Sequence, residues 1–186
     1  MTSLTKWTVE DYHRMIDVGI IKNRKVELIN GEIINMSPEG PVHRFINHRA
    51  VKYLRHILGN LAEVMEAHPI TLINSEPEPD ITIVRYPDTL YLDRHPSGKD
   101  IYWIIEIADS TLQKDLGTKK TLYASSGIEE YWVIDIAKKN FKVFRNLMNN
   151  EYQIEQNYQD GVVFSLAFPS VEISVKKIIG FDERDI

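Results

Sequence analysis

The chain has 186 residues, a formal net charge of −5, 43% hydrophobic and 26% charged residues, which is the profile of a soluble globular protein and not of a disordered or fibrous chain. The absence of cysteine excludes disulfides, thiol catalysis and the usual cysteine-based zinc sites, leaving oxygen and nitrogen as metal donors. No apolar run approaches the roughly 18 residues of a membrane span, and residues 1–6 run into a helix cap instead of a signal-peptide apolar core, so a single cytoplasmic domain over residues 1–186 with no membrane partner is expected.

In chain order, Thr8-Val9-Glu10-Asp11 reads as a helix start with Thr8 as cap, and Gly19 as its stop. Lys25 to Ile29 and Glu32 to Met36 are β-prone runs joined by Asn30-Gly31, a strong two-residue hairpin signal. After Pro41 a helix is expected. At 100° per residue, Arg44, His48, Lys52 and Arg55 fall on one side of it, and Ile46, Ala50, Leu54, Ile57 and Leu61 on the other. No acid occurs between Pro41 and Ala62. This cationic face suits phosphate contacts, or it is a solvated face balanced by Glu63, Glu66, Glu76 and Glu78; the charge pattern alone does not decide.

A strand is expected within Glu63 to Ile73. Glu76-Pro77-Glu78-Pro79 then enforces an extended approach to a strand that Asp80 opens. Pro87 to Asp100 reads as a loop at the site. Ile101 to Ile107 is a buried-type strand, and Ser110 with Gln113 makes a capping-box pattern for a helix running to about Ser126, with Gly127 as its stop. Glu130 to Asp135 is another core strand. Phe141 to Arg145, Glu151 to Gln156 and Val162 to Phe164 read as a meander, and the tail from Phe168 as a short helix or strand. The alternation of elements predicts an α/β fold with a mixed sheet.

Asp80 and Glu106 both sit at ends of apolar strands. Two ionised carboxylates beside one sheet need a compensating cation, which a divalent metal such as Mg²⁺ supplies. On the helix from Leu112, the stripe of Leu112, Leu116 and Tyr123 has Lys119 at its centre, so Lys119 is expected to point inward, steadied by Asp115 at i, i+4, while Lys114, Lys120 and Gln113 fall on solvated sides. Glu27, opposite Ile34 in the hairpin, either reaches the cleft or is an edge-strand glutamate. His43, at the start of the cationic helix, either meets phosphate or is a half-buried polar residue. Paired carboxylates also serve glycosidases, but those need neither an inward lysine nor a metal.

Glu106-Ile107-Ala108-Asp109-Ser110-Thr111-Leu112, Asp115, Lys119, Tyr123-Ala124, Gly127-Ile128, and Glu130-Tyr131-Trp132 with Asp135 resemble the signature of the Uma-two family of restriction endonucleases. The upstream Glu27-Leu28-Ile29-Asn30-Gly31, His43 and Pro79-Asp80 match in the same order. The resemblance implies the PD-(D/E)XK nuclease fold, a restriction-endonuclease-like mixed central sheet flanked by helices, here with an N-terminal hairpin and a C-terminal antiparallel meander. It implies Asp80 and Glu106 as the metal-binding acids, with Glu27 as a further one. The superfamily's lysine two residues after the second acid is replaced here by Ala108, and Lys119 is the position that matches the family's displaced lysine.

The expected activity is a Mg²⁺-dependent, or Mn²⁺-dependent, endonuclease acting on DNA. Asp80, Glu106 and the Ile107 carbonyl hold the metal, Lys119 positions or helps deprotonate the attacking water and offsets charge growing on the phosphorus, and His43, Arg44, Lys52 and Arg55 contact the nucleic acid. Asp115 and Tyr123 support the lysine. A homodimer would supply two centres for two strands. The alternative is a catalytically silent nuclease-fold module that binds nucleic acid or a protein.

Overall fold

The computed structural model describes residues 4–180, so residues 1–3 and the last six, which the expected single domain includes, lie outside the described residues. Helix α1 (Val9–Asp17) begins where the Thr8 hydroxyl accepts the Asp11 amide and the Asp11 carboxylate accepts the Thr8 amide, a reciprocal capping box. Strands β1 (Val26–Ile29) and β2 (Glu32–Asn35) form a hairpin with Glu27 opposite Ile34. Its turn residues Asn30 and Gly31 have φ of 50° and 76°, the pairing that matches the twist of the flanking strands. A Cβ on Gly31 would lie 2.8 Å from the Lys6 Cβ and 3.0 Å from the Trp7 carbonyl oxygen, so glycine is needed for space as well as for conformation.

Helix α2 (Pro41–Leu58) buries Ile46, Ala50, Val51 and Leu54, and leaves Arg44, His48, Lys52 and Arg55 exposed. Leu61 departs from the expected stripe: the helix stops at Gly59, φ 50°, and Leu61 lies in a following 3-10 turn, 52% exposed. The six-stranded sheet runs in the order β3 (Glu63–Glu66), β4 (Ile81–Val84), β5 (Ile101–Ala108), β6 (Tyr131–Asp135), β7 (Asn140–Met148), β8 (Glu151–Tyr158). Only β5 and β6 pair in parallel, so the sheet is mixed.

Alternation along β5 and β6 divides the core in two. Trp103, Ile105, Ile107, Trp132 and Ile134 pack beneath α2 and the short α5 (Val175–Ile179). Ile104, Ala108, Tyr131 and Val133 pack on the other face with Leu122 and Tyr123 of α4 (Lys120–Ser125). Glu106 shares the parity of Ile104 and Ala108, and so projects into this second layer.

Three expectations are corrected. Pro87 to Asp100 lies away from Asp80: β4 and β5 are antiparallel, with Val84 paired to Ile101 and Ile81 to Ile105, so their connection emerges at the end opposite Asp80 and Glu106. The segment Val162–Val163 forms β9, paired with β10 (Ile173–Ser174) in a separate ribbon instead of joining the meander. Finally, the helix expected from Leu112 to about Ser126 is interrupted: α3 (Leu112–Lys114) leads into a π turn over Asp115–Lys119 and then α4. Its N-cap is Thr111, not Ser110, and the Thr111 hydroxyl donates to the Asp115 carboxylate at 2.6 Å.

Gly31→Ala should lower stability by about 1–3 kcal/mol through the strained left-handed turn. The measurement is the urea midpoint, which falls at unchanged m-value if the hairpin is part of the cooperative unit.

Candidate metal and catalytic site

The β4–β5 ladder ends with Ile81 paired to Ile105, which places Asp80 beside the end of β5, where the Ile107 amide donates to Asp80 Oδ2 at 2.6 Å. The N–H and C=O of one residue in an extended strand point to the same edge, so the Ile107 carbonyl faces the edge where Asp80 stands. Glu106, 2% exposed, accepts through Oε1 from the Lys119 ammonium at 2.8 Å and from the Tyr123 hydroxyl at 2.6 Å. The structure thus brings Asp80, Glu106 and Lys119 together in one cleft of about 350 Å³, which Glu27, His43 and Glu78 also line.

The π turn brings a second lysine to the side that Lys119 occupies. Residues five apart share a side in such a turn, so Lys114 and Lys119 both face the cleft. Lys114, expected among the solvated lysines, is half-buried and donates to the Glu27 carboxylate. Glu27 is therefore a buried cleft residue, which also accepts from the Glu78 amide at 3.4 Å. Lys120 lies over the Phe144 ring at 4.6 Å. Asp115 is buried, but the hydrogen bond of Lys119 goes to Glu106, so Asp115 acts on the ammonium through charge alone.

Burial disfavours the charged form of Lys119, but Glu106, Glu27, Asp115 and Asp80 outweigh it and hold the ammonium firmly protonated. Burial pushes the Glu106 carboxyl well above the ordinary carboxylate range despite the pull of Lys119, and Asp80 and Asp115 add to the rise. Asp115 is also pushed up by burial, with Lys119 opposing. For His43, burial favours the neutral ring, yet Asp80 and Glu39 together push it up to about 9, so it is cationic at neutral pH. Its Nε2 lies 3.2 Å from Asp80 Oδ2, which sets it among the acids.

The cations of α2 divide. Arg44 and Lys52 are exposed and do not line the cleft. The Arg55 guanidinium donates to the Val64 carbonyl at 3.2 and 2.9 Å, roughly 18 Å along the helix axis from His43 at about 1.5 Å per residue. Sequence reasoning missed Lys114, Glu78 and Asn47. Asn47 was within reach of it, being one turn after His43 on the same side of α2; its amide donates to Glu66 at 3.3 Å.

The donor set fits a hard divalent cation. Asp80 uses Oδ2 for both Ile107 and His43, and Glu106 uses Oε1 for both Lys119 and Tyr123, so Asp80 Oδ1 and Glu106 Oε2 accept no hydrogen bond from another described residue. Carboxylate and carbonyl oxygens are the ligands Mg²⁺ and Mn²⁺ prefer.

Glu106→Ala strands the Lys119 ammonium in the core and should cost about 3–5 kcal/mol in stability. Glu106→Gln keeps an acceptor for Lys119 and Tyr123 and should retain most of it. Chemical denaturation of the two variants, compared with the parent chain, is the check.

No curated protein matches the chain. The crystal structure of a putative nuclease belonging to DUF820 from Anabaena variabilis shares the fold, with a TM-score of 0.68 and 18% identity over 83% of this chain and 89% of that one. The sequence profile of the Uma2 family, described as "putative restriction endonuclease", matches residues 9–176, and the chain belongs to that family.

Proposed function

We propose that the protein is a metal-dependent endonuclease that hydrolyses phosphodiester bonds of DNA, with Asp80, Glu106 and the Ile107 carbonyl as ligands for Mg²⁺ or Mn²⁺. The observation that carries this reading is the meeting of the two acids, from adjacent strands, with the buried Lys119 in one cleft. Family membership supports a nuclease. A divalent ion held there supplies Lewis acidity toward a non-bridging phosphate oxygen.

The protein's own groups do the rest. Lys119 stays charged, so its role is to donate: it orients the attacking water and offsets charge that grows on the phosphate oxygens. A general-base role does not suit an ammonium held so firmly. Tyr123 donates to the same Glu106 Oε1 as Lys119 and helps fix the carboxylate. His43, cationic beside Asp80, faces the same phosphate and limits how much negative charge the cleft carries. The Glu27–Lys114 pair forms another wall, and Arg44 and Lys52 offer backbone-phosphate contacts along the exposed side of α2. Arg55, engaged with Val64, is left out of this role.

Purified protein incubated with supercoiled plasmid and Mg²⁺ or Mn²⁺ tests the proposal. Nicking is expected, abolished in Asp80→Ala and Glu106→Gln, and slowed about 10²–10³-fold in Lys119→Ala, the range seen when one charge-stabilising donor is lost. Nicking that survives Glu106→Gln refutes the assignment of the acids. DNA binding without cleavage under either metal identifies a catalytically silent module instead.

A further inference from the structure

We infer that His13, Glu76 and His95 form a second cation site, built for a divalent transition metal of the zinc class and separate from the Asp80–Glu106 cleft. One donor atom from each lies within 4.8 Å of the others, and none of the three lines the acid cleft. His13 Nε2 is 2.7 and 2.8 Å from the two Glu76 oxygens. The His95 ring stands edge-on to that of His13, with centroids 6.4 Å apart.

The three residues come from distant stretches of chain whose backbones are braced against one another. The Glu76 amide donates to the Leu28 carbonyl at 2.7 Å, and its carboxylate accepts from the Thr71 hydroxyl at 2.9 Å. The Thr71 amide in turn donates to the Pro96 carbonyl at 2.8 Å, next to His95. On the other side of His95, Arg94 grips the Asp100 carboxylate at 2.6 and 3.1 Å, and the same carboxylate accepts the Ser97 amide. Helix α1 presents His13 from a capped start, with the Tyr12 hydroxyl donating to the Val26 carbonyl at 2.9 Å.

An ion pair with His13 is enough to account for the buried Glu76, 4% exposed. It gives no reason for a second imidazole on a loop pinned at both neighbours. Two imidazoles with one carboxylate are the donors that zinc and similar ions take and that Mg²⁺ does not. With metal–ligand bonds of about 2.0–2.2 Å, the donor atoms of a tetrahedral site are about 3.4 Å apart. The His13–Glu76 contact, at 2.7–2.8 Å, opens to that spacing as the ion replaces the hydrogen bond, rotation of the exposed His95 ring brings in the third donor, and the adjoining cavity of about 330 Å³ leaves room for water in the fourth position. An ion there ties α1 and the loop carrying His95 to the segment that leads into Asp80.

The test is calorimetric titration of chelator-stripped full-length protein with Zn²⁺ in excess Mg²⁺, alongside Asp80→Ala and His95→Ala. The expected result is one equivalent of Zn²⁺, retained in Asp80→Ala and weakened at least tenfold in His95→Ala. Because His95 is exposed, that variant should fold as the parent does, which far-ultraviolet circular dichroism verifies; its thermal midpoint should no longer rise with Zn²⁺. Absence of Zn²⁺ binding, parent-like affinity in His95→Ala, or binding lost in Asp80→Ala overturns the assignment. The titration reads the histidine site through His95→Ala and plasmid nicking reads the acid cleft through Glu106→Gln, so the two assignments fail separately.

Discussion

The buried pair of Glu106 and Lys119 is the constraint around which this structure is arranged. A carboxylate on the core side of a central strand is tolerable only with a partner, and the partner here arrives from another element, at 2.8 Å, with Tyr123 completing the shell. Apolar residues of similar volume would often fold as well or better in such a position. A charge kept there at a cost in desolvation is therefore most simply understood as part of a site. The π turn over Asp115–Lys119 belongs to the same arrangement. By changing the angular spacing of the helix it turns Lys114 and Lys119 toward one cleft, against Glu27 and Glu106, and such turns recur where function overrides regular helix geometry.

Much of this was legible in the residues. Asp80 and Glu106 interrupt or open apolar runs, and a lysine centred on an apolar stripe has to point inward or break the stripe. The Asn30-Gly31 turn fixed the hairpin register, and with it the position of Glu27. What the sequence could not show were features set by tertiary contact. All four residues of β1 are buried, because α1 and the bridge from Leu28 to Glu76 cover the strand, and alternation gives no sign of that. The π turn has no local signature, so the 100° spacing that correctly turned Lys119 inward misplaced Lys114. The Pro87–Asp100 loop looked suited to the site from its composition, but strand direction decides which end of the sheet a connection occupies.

The segment Glu76-Pro77-Glu78-Pro79-Asp80 links the two ends of the account. Two prolines at alternating positions hold φ and keep the residues before them out of helical conformation, so three acids are spaced along an extended backbone. Glu76 turns to the histidines, Glu78 lines both cavities, and Asp80 faces the acid cleft. One short stretch thus borders two pockets of different donor chemistry, one where Asp80 and Glu106 offer oxygen and one where His13 and His95 add imidazole nitrogen to the Glu76 carboxylate. Hard and borderline cations would sort between them by ligand preference.

The central claim is that Asp80 and Glu106 share a divalent ion, and it is tested most directly by locating that ion. Crystals soaked in Mn²⁺ and measured for anomalous scattering should show a peak about 2.1 Å from oxygens of both carboxylates, with the Ile107 carbonyl as a third ligand. A cleft without a peak, with Lys119 still bound to Glu106 and Mn²⁺ appearing only elsewhere, would contradict the account.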